Sequence, residues 1–183
     1  LFGEGFLRGK ALDDRIGCAI MIDMICGELL YDTTFTFVVQ EEVGLRGARA
    51  ASYTVDPEIA LVLEATTASD LPGVDGEKKV CCLGDGPVVS FMDRSTVYDA
   101  GLYRAAFALA AQQGIPCQTK TMIAGGNDAG AIHVSRGGVR TLAISAPCRY
   151  IHSPVCVVKQ EDVEQMARLT ALLAEKFAGG DAE

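Results

Sequence analysis

Two runs of this sequence read as buried strands, and both lead into acid. Thr34–Gln40, "TFTFVVQ", is followed by Glu41 and Glu42, and Ile59–Ala65, "IALVLEA", carries Glu64 next to its end. β-Branched and aromatic residues favour a strand in the first run and aliphatic ones favour it in the second. A buried, unpaired carboxylate is expensive. Either these acids reach the surface, or a positive charge meets them inside. Successive side chains of a strand point to opposite faces, so Glu41 and Glu42 diverge and can serve different ends.

Helix patterns alternate with these runs. Ala11–Leu30 is apolar over five turns and predicts a helix with a wide buried face. Leu45–Tyr53 predicts a short helix, and Tyr98–Gln113 a longer Ala-rich one stopped by Gly114 with Pro116 beyond. Asn127–Ser135 predicts a short helix after the Gly125-Gly126 turn, and Gln160–Phe177 an amphipathic one. Further strands are predicted in "KKVCCL" (Lys78–Leu83), "PVVSFM" (Pro87–Met92), Gln118–Ile123 and Val139–Ser145. The fold class is therefore α/β, with a mixed, largely parallel sheet flanked by helices.

The chain has 183 residues, enough for one domain with a real core, and residues 1–183 are read as a single domain. Net charge is -8, which argues against nucleic acid or an acidic membrane surface as partner. No apolar stretch reaches membrane-spanning length, and the first residues do not read as a signal peptide. Seven cysteines without a CxxC pair read as reduced core thiols of a cytoplasmic protein. None sits in an electropositive turn, which sets a cysteine hydrolase aside.

In open α/β sheets, functional groups gather at the carboxyl ends of strands. That is where Glu41, Glu42 and Glu64 stand. Asp13 and Asp14 open the first long helix, and His152, in "PCRYIHSP", follows the strand Val139–Ser145. Each residue has a plainer role. The aspartates suit the positive end of a helix dipole, the glutamates a solvated strand end or an ion pair, and His152 or His133 simple packing. Together they make an oxygen-rich set with one imidazole, suited to a divalent metal such as zinc, cobalt or manganese.

Five segments, "GKALDDRIGCAIM", "FVVQEEVGLRGA", "LVLEATTASDLPG", "AGGNDAGAIHVSRGGVRTLAIS" and "PCRYIHSP", occur in the order seen in the tetrahedral (TET) di-metal aminopeptidases, which they resemble. Glutamyl and deblocking aminopeptidases are of this type, and some members once carried the label endoglucanase. The resemblance implies a co-catalytic hydrolase that releases N-terminal residues from peptides, with two divalent ions per site, zinc or cobalt or else manganese. It implies that Asp13 bridges the ions, Glu42 and His152 bind one and Glu64 the other, and Glu41 is the general base. His133, Asp128 and Gly126 would line or support the substrate pocket. A peptide substrate and a homo-oligomer follow as expected partners.

The resemblance lacks one element. The family carries another histidine in an early H-x-D segment, and only His133 and His152 occur here. The start "LFGEGFLRGK" reads like the interior of a longer protein. The chain is therefore expected to be the C-terminal part of a catalytic domain, without the N-terminal segment and inserted small β domain of the family. At most one metal is expected to bind well, with peptidase activity weak or absent. Glu64 stands where many family members have Asp. That keeps a metal-dependent amidase or deacylase on the same scaffold as an alternative, beside a non-catalytic scaffold fragment.

Overall fold

The computed structural model describes residues 3–180. Its two longest strands, β2 (Ile59–Thr67) and β4 (Arg140–Cys148), pair in parallel from Ile59↔Arg140 to Thr67↔Cys148. The short β3 (Val88–Val89) adds antiparallel to the other side of β4, and Val88 bridges Gln118 in parallel. The sheet order is β2-β4-β3. A second, antiparallel pair joins β1 (Phe6–Gly9) to β5 (Cys156–Lys159). The longest ladder is parallel and the shorter ones are mostly antiparallel, so the sheet is mixed and largely parallel.

Strand period sorts the core. Leu142, Ile144, Ala146 and Cys148 of β4 are all fully buried on one face. They meet Ile16 and Ile20 of α1 (Leu12–Cys26), Leu102 and Ala106 of α3 (Ala100–Gln112), and Met166, Leu169 and Leu173 of α5 (Gln160–Ala178). On the opposite face Ala143 packs with Val62, Tyr98 and Ala129, the last from the short α4 (Ala129–Ile132). Behind α4 lies α2 (Arg46–Val55). Glu64 follows Val62 by two residues, so it points to the α4 side.

The helices form close to where the sequence puts them. Asp99 starts α3 by accepting a hydrogen bond from the Leu102 amide at 2.9 Å, and Gly114 ends it in the left-handed conformation. Three predicted strands do not form. Lys78–Leu83 is a short 3-10 turn, Gly76–Lys78, followed by a loop. Its backbone is satisfied by side chains instead: Gln118 brackets Cys82 with hydrogen bonds of 2.9 and 2.8 Å, and Asp70 accepts from the Leu83 amide at 2.9 Å. Gln118–Ile123 keeps only the bridge at Gln118.

Thr34–Gln40 is the third and most consequential. It is not a strand, and Phe37 and Val39 are 49% and 67% exposed. A groove of about 1100 Å³, lined by Thr33–Val38 on one side and Ile59–Leu63 of β2 on the other, separates it from the sheet. A strand exists through hydrogen bonds shared with a neighbour. Propensity without a neighbour leaves extended chain. The sequence reading missed β1 and β5, whose four residues each carry little pattern.

Candidate metal centre

Asp13 and His152 meet because β1 and β5 pair. Gly9 faces Cys156 in that ladder. The chain then runs on from Gly9 to Asp13, while His152 lies on the turn that leads into β5. That turn begins where the Arg149 and Val157 backbones exchange hydrogen bonds of 2.9 and 3.1 Å. The His152 Nε2 stands 3.4 Å from Asp13 Oδ2 and 3.3 Å from Glu42 Oε2. His152 and Glu42 are largely exposed, and Asp13 is nearly enclosed.

Glu41 and Glu42 arrive by a different route. The turn after Gln40 folds back on itself: the Gly44 and Leu45 amides donate to the Glu41 carbonyl, Arg46 to Gln40 and Gly47 to Val39, at 3.0 to 3.3 Å. This hangs both glutamates from the start of α2. Gly47 is required there, since a Cβ would stand 2.5 Å from the Val39 backbone. Glu64 comes from β2, on the face already noted.

Asp13 and Asp14 stand at the head of α1 with non-helical backbone, joined by a cis peptide bond. The Gly17 amide donates to Asp14 Oδ1 at 2.9 Å, and Gly17 leaves the carboxylate room that a Cβ would occupy. Two groups result. Ligand atoms of Asp13, Glu42 and His152 lie within 4.8 Å of one another, as do those of Asp13, Asp14 and Glu64. Asp13 belongs to both.

The charge in this cluster is one-sided. Burial, then Asp14 and Glu41, pushes Glu64 up to about 10. Burial outweighs the Gly17 hydrogen bond and pushes Asp14 up to about 8. Glu41 rises to about 7 by burial and then by the charge of Asp128. Asp13 rises through burial and Glu42, against the pull of His152 and a hydrogen bond from the Ala65 backbone. Carboxylates crowded in this way with one imidazole fit divalent cations, which would supply the missing positive charge.

Sequence reasoning named the acids and His152 but gave Asp14 no ligand role; its adjacency to Asp13 was the available signal. Asp128 is brought to the same groove, 7% exposed. Gly126 supports the turn before it, where a Cβ would meet Ser95 Oγ at 2.6 Å. His133 lies outside both ligand groups, with Nδ1 2.8 Å from the Ala129 carbonyl. No helix among the described residues is long and apolar enough to cross a membrane.

Comparison with known proteins gives the family of the chain. The profile of the M42 glutamyl aminopeptidase family matches residues 1–169. The lysyl aminopeptidase of Pyrococcus furiosus is 38% identical over 169 residues, covering 91% of this chain and 47% of that protein. The solved aminopeptidase of the archaeon Desulfurococcus kamchatkensis superposes with a TM-score of 0.92 at 32% identity, over 96% of this chain and 51% of its own. The TET1 peptidase of Pyrococcus horikoshii, which assembles into a tetrahedron or a large octahedral shell, gives a TM-score of 0.80 at 31% identity, over 94% and 51%. The chain thus spans about half the length of the relatives it matches.

Proposed function

Because the chain belongs to the M42 glutamyl aminopeptidase family, we propose that its carboxylate cluster is the metal-binding part of a peptidase that releases N-terminal residues from peptides. The observation that carries this reading is the sharing of Asp13 between two ligand groups, one with Glu42 and His152 and one with Asp14 and Glu64. Asp13, Glu42 and His152 would hold one divalent ion, zinc or cobalt or manganese, and Asp13 with Glu64 a second. Such ions acidify a water molecule and polarise a scissile carbonyl.

Glu41 takes no part in either ligand group and is the general base. Its carboxyl, near 7, is matched to accepting a proton at neutral pH and returning it to the departing amine. The second group contains only carboxylates, so the chain is proposed to hold one ion well and to turn over slowly. Like its relatives, the protein is proposed to self-associate.

Elemental analysis after dialysis against micromolar zinc tests the reading. The expected result is roughly one metal per chain, lost on His152→Ala and retained on Glu41→Gln. Glu41→Gln should lower peptide turnover by about a hundredfold to ten-thousandfold. Absence of bound metal, or cleavage of N-acetylated peptides in preference to free ones, would refute it. The second outcome would favour the amidase or deacylase reading.

A further inference from the structure

Among the described residues that line this groove, Asp128 is the carboxylate whose buried oxygen has no partner. Its Oδ1 is fully buried and makes no hydrogen bond among the described residues. It occupies the cap position of α4 without using its side chain to cap. The Asn127 and Asp93 side chains near it are paired. Asn127 Oδ1 accepts from the Ala129 amide at 2.9 Å, and its Nδ2 donates to the Tyr98 hydroxyl at 3.0 Å. That hydroxyl donates to Asp93 Oδ2 at 2.5 Å, while Asp93 Oδ1 accepts from the Ser95 and Thr96 amides at 2.8 Å. Gly126 and Gly130 both pack on Ser95 with no room for a Cβ. These contacts hold the turn that carries the unpaired Asp128 carboxylate.

The direction of that carboxylate follows from its neighbours. Asp128 lines the groove with Asp13, Asp14, Glu41 and Glu64. An unpaired carboxylate therefore lies in the groove that holds the proposed base. In a peptide with a free N-terminus, the α-ammonium lies one carbon from the scissile carbonyl. A base poised at that carbonyl brings the ammonium to its own flank. Resting on the aminopeptidase reading, we propose that Asp128 binds the substrate's α-ammonium and so selects free N-termini. A buried carboxylate left unpaired is costly, and a charge-assisted contact to an ammonium removes that cost on binding.

Equilibrium binding of leucinamide and N-acetyl-leucinamide tests this, measured by calorimetry on the zinc-loaded chain. The wild type is expected to prefer the free amine by about ten- to a hundredfold. Asp128→Asn, with unchanged metal content and circular dichroism, is expected to lose the preference, and Asp128→Glu to restore part of it. If Asp128→Asn keeps the preference, the ammonium is held elsewhere, and this proposal falls while the aminopeptidase reading stands. A wild type that binds the acetylated amide as well or better overturns both.

Discussion

The carboxylate cluster should make the metal-free protein less stable at neutral pH, and Glu64→Gln should reveal by how much. Glu64 is 7% exposed, and its carboxyl is pushed from an ordinary 4.5 up to about 10. Below pH 4.5 the group is protonated in both folded and unfolded chains and contributes nothing. Above that, the unfolded chain ionises and the folded one does not, so stability falls as pH rises. Each pH unit costs about 1.4 kcal/mol, giving about 5 kcal/mol at pH 8 and under about 1 kcal/mol at pH 5. Asp14 and Glu41 share the same proton uptake, so the gain from removing one acid is smaller. Urea unfolding in EDTA should show Glu64→Gln more stable than wild type by about 2–4 kcal/mol at pH 8 and nearly equal at pH 5. Zinc should invert the order at pH 8, because the wild type gains from binding and the variant loses a ligand. A variant destabilised equally at both pH values would refute the reasoning.

Two further substitutions probe how the site is carried. Gly47→Ala places a Cβ against the Val39 backbone and should move the turn that bears Glu41 and Glu42. The expected result is weaker metal binding by equilibrium dialysis, with a stability loss of only about 1–3 kcal/mol. Asp162 is fully buried and accepts from the Gly84 and Gly86 amides at 2.8 and 3.0 Å. Asp162→Ala should cost about 3–5 kcal/mol in urea unfolding, with metal content per folded chain unchanged.

The parts of the fold readable in the sequence were those with a long period. The helices α1, α3 and α5 and the strands β2 and β4 carry enough apolar repeats to declare themselves. Lys78–Leu83 carries a strand-like composition, but the amide side chain of Gln118, 36 residues later in the chain, takes the place of a neighbouring strand. No local pattern can announce such a partner. Thr34–Gln40 fails for the related reason that pairing is a property of two segments.

The candidate site was legible as a set of acids that follow or end apolar runs, such as Glu41 and Glu42 after Thr34–Gln40 and Glu64 in Ile59–Ala65. Glu41, Glu42, Glu64 and His152 could be singled out as candidates from their positions near strand ends, and their separate roles came from the family resemblance. The place of Asp14 beside Glu64, and the isolation of Asp128, depend on how α1 and α4 stand against β2.

The detached segment Thr34–Gln40 divides the centre between two cooperative units. Asp13, Glu64 and His152 are tied to paired strands or to chain running directly from them, and they open only when that framework opens. Glu41 and Glu42 follow a stretch whose amides join no ladder and are held through the turn onto α2 instead, so they belong to a part that opens more cheaply than the paired strands. Local opening would then separate the base and one ligand from the rest of the cluster while the core remained folded. A cation bridging Asp13, His152 and Glu42 would act as a clasp across that boundary and raise the free energy of the local opening towards that of global unfolding.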